Sequence, residues 1–527
     1  MAGGGRDDQV AIDANTSPGE EFHVLASYSV FERPNVTVLI VEDKAGRRFY
    51  RVEEPLRSPY VEKAYRRLMA LVTSDLRLLR SLSELEVVEE GVDFILPYAK
   101  RILRRIMPRR ERSRLEEEAL VTAYYVARDV VGYGPLEPLL RDPGIEDITC
   151  NGVGIPVFVF HTEYEWLTTN IVFSSEDELE KIIMKLSLKA GQEPSIATPM
   201  VEGVLRPEGY RVHIALDVVS RRGHSFTIRK FRAEPFTIVE LIRRRTLDPL
   251  VAAFLWMAVQ YKQGIVIYGP TGSGKTTLLN ALAMLLPPEY KIVTVEDTPE
   301  IYLPFHENWT AMITRLARTD YAQNITLQAQ VEAALRQRPD IIILGEIRSR
   351  EAYAFFQALS TGHGGLTTIH AENADVLIRR LSSPPMNVPK SLIAATRLFV
   401  RIVRLEYKGQ VLRKVIRVDE TLGYDPDKDE LHIGPRILWR RDDDVWYMRG
   451  KSSSLLDAIA ESTLMSREEL LEDLERRATV LKWAAMKNLD IAAMHDLVRR
   501  YMREPEQVYD KILREEKVVY IPQIIED

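Results

Sequence analysis

Three consecutive stretches decide how this chain folds: Ile265-Val-Ile-Tyr268, then Gly269-Pro-Thr-Gly-Ser-Gly-Lys-Thr276, then Thr277-Leu-Leu-Asn-Ala-Leu-Ala-Met-Leu285. The first is a short apolar run of strand length, and the third has the composition of a helix. The loop between them fits the pattern G-x-x-x-x-G-K-[ST]. Gly269, Pro270, Thr271, Gly272, Ser273, Gly274, Lys275 and Thr276 can wrap the backbone so that successive N–H groups point at a phosphate. The N-terminus of the following helix adds partial positive charge. Lys275 then reaches the outer phosphates of a nucleotide, and the Thr276 hydroxyl is placed to ligate Mg²⁺. The expected ligands are ATP and Mg²⁺.

The alternation of strands and helices continues outward from this loop. Ile292 to Val295, Ile341 to Leu344 and Leu366 to Ile369 are further apolar runs separated by helix-like stretches. That is the pattern of a mostly parallel sheet wrapped by helices, whose strand carboxyl ends face the ligand crevice. Glu346 follows Ile341-Ile-Ile-Leu-Gly and is expected there, polarising the attacking water and supporting Mg²⁺. The plainer alternative is a surface acid at a strand end. Glu296 and Asp297 follow another strand. Adjacent carboxylates repel unless a cation lies near, which suits ligands to the waters of Mg²⁺; turn-forming acids before Pro299 are the alternative. His363 and His370 flank the run Leu366 to Ile369, and both are expected to sense a terminal phosphate. Either one taken alone would more often be structural.

Six segments divide the chain. Residues 1–20 read as a disordered leader without the apolar core of a signal peptide. Residues 21–130 hold a small β-hairpin and helices, including a face of Val61, Ala64, Leu68 and Leu71 and helical runs at Phe94 to Ile106 and Arg114 to Val131. Residues 131–232 read as an α+β unit with a helix near Ser175 to Leu188, and 233–237 as a hinge. The α/β domain spans 238–425. Residues 426–527 read as helical, with Ser466 and Glu469 forming a capping box.

One segment is strongly basic. Lys100, Arg101, Arg104, Arg105, Arg109, Arg110, Arg112 and Arg114 place eight cations in fifteen residues. They read as a solvated helix face, with a peripheral contact to anionic lipid or an acidic partner as the alternative.

Composition narrows the class. The net charge of −6 and the lack of a basic stripe studded with aromatics argue against a nucleic-acid partner. The single cysteine, Cys150, excludes a disulfide framework or a cysteine-built zinc site and fits a reducing cytoplasm. The apolar run Val251 to Val259 is too short to span a bilayer, so any membrane association is peripheral. Ten Asn and twelve Gln among many Arg and Glu lean toward a hot environment.

The order of these motifs resembles the type II/type IV secretion ATPase superfamily. The matching text is the phosphate loop, Val295-Glu-Asp-Thr-Pro-Glu300, Arg336-Gln-Arg-Pro-Asp-Ile-Ile-Ile-Leu-Gly-Glu-Ile-Arg348, and the T-G-H-x-x-x-x-T-x-H stretch ending at His370. Arg128-Asp-Val-Val-Gly-Tyr-Gly-Pro135, Phe226-Thr-Ile-Arg-Lys-Phe231 and Gly423-Tyr-Asp-Pro426 resemble its archaeal branch. The resemblance implies a RecA-like ATPase domain preceded by a PAS-like subdomain and assembled as a homo-hexamer. It implies ATP hydrolysis that drives assembly of a pilus-like filament, an archaellum or a type II-like secretion system, through a polytopic membrane platform protein. Filament retraction and DNA translocation are the alternatives. It also implies arginines of the N-terminal domain that reach the γ-phosphate, here Arg211 and Arg229.

Overall fold

A computed structural model describes residues 22–231, 235–314, 324–407, 410–450 and 452–525. The expected leader, and residues 233–234 of the expected hinge, lie outside the described residues. The chain divides into two compact units, Met1–Arg232 and Ala233–Asp527. Both are mixed α/β, each built on one large sheet.

In the N-terminal unit, β1 (His23–Glu32), β2 (Asn35–Glu42) and β3 (Arg48–Glu53) form an antiparallel meander. Helices α1 (Pro59–Ser74), α2 (Leu76–Ser83), α3 (Val88–Ile106) and α4 (Leu115–Val130) follow. After the short α5 (Glu137–Arg141) come β4 (Ile145–Cys150), β5 (Pro156–His161), β6 (Glu165–Val172), α6 (Glu176–Lys189), β7 (Met200–Val204), β8 (Arg211–Ala215) and β9 (Ser225–Arg229). The expected hairpin is thus three strands, and β3 pairs with β6 to join the meander to the rest in one nine-stranded sheet.

Helix α1 starts where Ser58 accepts the amide of Val61 and Pro59 opens the first turn. Its buried face is Val61, Ala64, Leu68 and Val72. Val72 takes the place expected of Leu71, because the helical repeat drifts by a residue over three turns. Helix α4 is buried along most of its length. Its last carbonyls are capped by the half-buried Lys185, whose ammonium donates to the carbonyls of Asp129 and Val130 at 2.5 and 3.3 Å.

The basic segment occupies the end of α3 and the turn beyond it. Lys100 pairs with Glu116, and Arg114 with Glu118. Arg104 and Arg105 lie in the last turn of α3, where cations complement the helix dipole. Arg101, Arg104 and Arg105 line an open hollow of about 450 Å³.

In the C-terminal unit, α7 (Ile238–Arg243) and α8 (Pro249–Gln260) precede β10 (Gly264–Gly269). The apolar run 251–259 is the wholly buried body of α8. There follow α9 (Lys275–Ala283), β11 (Ile292–Glu296), β12 (Trp309–Ile313), α10 (Leu327–Leu335), β13 (Ile341–Leu344), α11 (Glu351–Ser360), β14 (Gly364–His370), α12 (Ala374–Ser382) and α13 (Lys390–Ile393). The four apolar runs marked in the sequence are the strands β10, β11, β13 and β14, and with the unmarked β12 they run parallel in the order β12-β11-β13-β14-β10. On the far side of β10 comes β15 (Thr396–Tyr407), also parallel to it. Then β16 (Gln410–Asp425), β17 (Glu430–Arg440) and β18 (Val445–Arg449) turn antiparallel.

The helical expectation for 426–527 is therefore corrected over its first part. Residues 430–440 and 445–449 are strands, and helices begin at α14 (Ser454–Ser462). The strand pattern is diluted by charge: β17 and β18 turn few side chains, chiefly Ile437, Trp446 and Met448, into the core. Beyond, α15 (Arg467–Lys487) carries the expected Ser466–Glu469 capping box and ends at a left-handed Asn488. Helices α16 (Ile491–Arg503) and α17 (Pro505–Glu516) and the two-residue β19 (Ile524–Ile525) complete the unit. Among the described residues no helix is long and apolar enough to cross a membrane.

The contact that fixes the loop is between Gly269 and β15. A Cβ on Gly269 would lie 2.0 Å from the carbonyl oxygen of Ile402. Replacing Gly269 by Ala forces a backbone shift costing about 2 kcal/mol or more. The expected result is a melting temperature lowered by roughly 5 °C, read by circular dichroism without nucleotide.

Candidate functional site

Strand β10 is fully buried and delivers Gly269 to the sheet edge at which β11, β13 and β14 also end. The chain then turns through Pro270 to Gly274. Gly272 and Gly274 adopt φ of +70° and +92°, a conformation that side-chain-bearing residues rarely take. Helix α9 starts at Lys275, with Thr276 half-buried in its first turn. Ser273 is buried, and its hydroxyl has no hydrogen-bond partner. An orphaned hydroxyl inside a loop of inward-facing amides is what a bound phosphate would satisfy. The residues present fit a polyphosphate.

Lys275 is mostly buried, and its ammonium donates to the Pro270 carbonyl at 2.9 Å and to His370 Nδ1 at 3.3 Å. Burial pulls its pKa down to about 8, against the pull of Glu346. His370 stands opposite Gly269 in the β10–β14 register. Its Nε2 lies 3.1 Å from Glu346 Oε1. With the ammonium donating to Nδ1, the ring proton belongs on Nε2 and is donated to the carboxylate. Burial and the neighbouring Lys275 hold the imidazole pKa below its ordinary value. Lys275, His370 and Glu346 thus form one hydrogen-bonded chain beside the loop.

Glu346 lies just beyond β13. Its other oxygen accepts from Arg348 Nε and Nη2 at 2.9 and 2.7 Å. Arg348 Nη1 also lies 3.5 Å from Asp297 Oδ2. The two acids after β11 are held apart. Asp297 turns toward Arg348 and accepts from Thr314 Oγ1 at 3.1 Å. Glu296 turns inward, 5% exposed, and accepts the amides of Glu300 and Ile301 at 2.9 and 3.0 Å. The missing side chain of Gly345 leaves it room, since a Cβ there would come 3.2 Å from Glu296 Cγ. Burial pushes the Glu296 pKa up to about 7. Of the two acids, Asp297 faces the Arg348 guanidinium and Glu296 is held by backbone amides.

Among the described residues no group of three or more His, Cys, Asp or Glu could hold a metal ion by itself. Mg²⁺ is commonly held by one or two carboxylates together with phosphate oxygens and water. Thr276 and Glu346 are compatible with that kind of site.

A family model described as type II/IV secretion system protein matches residues 132–420. The chain belongs to that family. An uncharacterized protein of Methanocaldococcus jannaschii is 37% identical over 380 residues, covering 71% of this chain and 68% of its own. The type IV secretion system protein PtlH of Bordetella pertussis is 35% identical over 205 residues, 35% of this chain and 60% of PtlH. Among solved structures, the VirB11 ATPase of the Brucella suis type IV secretion system is 26% identical, covering 56% of this chain and 94% of VirB11, at a TM-score of 0.28.

The remaining site residues of this secretion-family chain are placed elsewhere. His363 precedes β14, at the end opposite His370. Seven residues of extended chain put it about 20 Å from the phosphate loop. The pairing of His363 with His370 at one site is therefore corrected within this chain. His363 Nδ1 instead lies 3.2 Å from Thr361 Oγ1. Arg211 and Arg229 belong to the N-terminal unit and face each other in the β8–β9 register. The Arg229 side chain is 59% exposed and lies 4.0 Å from Asp147.

Two arginines without a sequence-assigned role touch the site: Arg348, and Arg413, whose Nε donates to the Gly272 carbonyl at 3.0 Å. Arg348 was readable as the neighbour of Glu346. Arg413 lies some 140 positions from the loop, on a strand that the sequence pattern did not mark.

The raised pKa of Glu296 has a thermodynamic signature. A carboxyl whose folded pKa lies above its unfolded value stabilises the protein below the unfolded pKa, and that contribution is lost as pH rises through the folded one. Between about pH 4.5 and 7 the carboxyl ionises in the unfolded chain while it stays largely protonated in the folded one, a loss of stability that Glu296→Gln avoids. The difference in melting temperature, variant minus wild type, is expected to grow more positive across that window in scanning calorimetry; a pH-independent difference contradicts the shift.

Proposed function

We propose that this protein is a Mg²⁺-dependent ATPase, working as a homo-hexamer on the cytoplasmic side of a membrane. It would drive assembly of a pilus-like filament, an archaellum or a type II-like secretion system. The observation that carries the enzymatic part is the Lys275–His370–Glu346 chain beside a phosphate loop of positive-φ glycines. Membership of the type II/IV secretion family supports the motor role, and a membrane platform protein is the partner proposed to receive the motion. We read the C-terminal unit as a RecA-like motor domain, the second half of the N-terminal unit as PAS-like, and residues 233–237 as the hinge between them.

In this reading the loop amides and the Ser273 hydroxyl bind the inner phosphates. Lys275 exchanges the Pro270 carbonyl for the outer ones, and the anion further favours its charged form. Bound Mg²⁺ would neutralise charge developing on the β- and γ-oxygens. His370, freed from Lys275, donates toward the terminal phosphate and transmits its loss to Glu346. Glu346, held by Arg348, polarises the attacking water. A second assignment of the base is favoured by one observation. A buried carboxyl with a pKa near 7 is tuned for proton transfer at neutral pH, which points to Glu296.

Glu346→Gln is expected to bind ATP with near wild-type affinity and to lose about 100-fold or more in turnover. If Glu296→Gln shows that loss while Glu346→Gln turns over normally, the base is Glu296. If both turn over at wild-type rates, the hydrolytic assignment fails.

Arg211 and Arg229 are proposed to act at a neighbouring subunit's nucleotide, in support of which Arg229 is largely exposed. Arginines supplied to a transferring phosphoryl group are worth about 10³–10⁵ in rate. Arg229→Ala should therefore depress steady-state turnover by orders of magnitude and leave nucleotide affinity within a few fold.

A further inference from the structure

Arg413 approaches the phosphate loop from the flank opposite the hydrolytic groups. Strand β10 has β14 on one side and β15 on the other. His370 and Glu346 come from the β14 side. From the β15 side, Arg413 on β16 reaches across and donates its Nε to the Gly272 carbonyl at 3.0 Å. A Cβ added to Gly274 would lie 3.4 Å from its Cδ. The guanidinium stem therefore lies along the two positive-φ glycines at the tip of the loop. Arg404 is its cross-strand neighbour in the β15–β16 register, so two cations stand at one level on this flank.

The tip of such a loop is where main-chain amides cradle the α- and β-phosphates, while the lysine serves the β- and γ-phosphates. A guanidinium bound to a neutral carbonyl there gains by exchanging it for an anionic oxygen, because attraction between opposite charges is added to the hydrogen bond. Arginine in particular suits phosphate, since its planar fork can engage two oxygens at once. Resting on the ATPase reading above, we propose that Arg413 is a further nucleotide-binding residue. Its guanidinium leaves the Gly272 carbonyl and takes the α- and β-phosphates, on the side away from His370 and Glu346. It does not act on the reacting γ-phosphate, so its effect belongs to affinity.

The test compares Arg413→Ala, Arg413→Gln and Arg413→Lys in the full chain, at a temperature where circular dichroism shows every variant folded. Affinities are measured for Mg²⁺–ADP and for a non-hydrolysable Mg²⁺–ATP analogue. Ala and Gln are both expected to weaken the two nucleotides by the same factor, about 10- to 100-fold. Lys should recover part of the loss, and kcat at saturating ATP should stay within a few fold.

Gln can keep a neutral hydrogen bond to Gly272, so wild-type affinity in that variant would reduce Arg413 to a loop staple and overturn the proposal. Loss for the ATP analogue alone would also overturn it, by moving the contact to the terminal phosphate. Ala binding within twofold of wild type would overturn it directly. Lys275→Ala, run alongside, separates the two levels of the argument. If it binds nucleotide as well as wild type, the ATPase reading itself fails. If it loses binding while Arg413→Ala does not, the Arg413 assignment alone falls.

Discussion

Everything at this site depends on how closely two backbones approach: the carbonyl of Ile402 on β15 sits where a Cβ on Gly269 would have to be. That contact lets β10 end flush between two parallel neighbours and turn directly into the loop. Any larger residue would push the strand off its partner and re-aim the amides that follow. The orientation of a few N–H groups, and hence affinity for an anion, is inherited from strand packing some residues upstream. Glycine at 269 is there for proximity, while Gly272 and Gly274 are there for φ. The same residue type answers two different demands within six positions.

Electrostatically the loop is a cation held in waiting. Lys275 is buried, its pKa is lowered to about 8, and it is satisfied by a carbonyl and an imidazole. Those partners are neutral, and each is weaker than a phosphate oxygen. Ligand binding therefore exchanges neutral acceptors for anionic ones, and the desolvation that depresses the lysine's pKa strengthens its attraction to the incoming anion. Because His370 bonds both Lys275 and Glu346, filling the loop cannot leave the acid's surroundings unchanged. A single imidazole ring bridges the lysine and the carboxylate.

The parallel sheet and the loop were legible because apolar runs of four or five residues, punctuated by glycine and acid, can form little else. Glu346 and His370 were legible for the same reason: each ends a strand, and parallel strands in one sheet end on one edge. Helix starts were legible at Ser175 and, through a capping box, at Ser466. The failures also have physical causes. His363 looks equivalent to His370 in the text, but the strand between them separates them by its length. Strands β16 to β18 escaped notice because their edges are solvated and charged, which weakens the period-two signal. Arg413 could not be found at all, since its contact depends on a three-strand register rather than on local pattern.

The two carboxyl environments argue for a division of labour. Glu346 has both oxygens engaged, one by His370 and one by Arg348, and remains 22% exposed at the crevice. Glu296 is buried on amides, with its pKa near neutrality. Two acids in such different surroundings are not interchangeable. The acid tied to histidine and arginine is held in place by two partners at once, which suits the proposed positioning of a water. The buried acid, the second candidate for the base, is set apart by its burial and its amide partners. Gly345 connects the two: it precedes Glu346 directly, and its lack of a side chain makes room for Glu296. The geometry thus sets two acids from neighbouring strands against a single glycine.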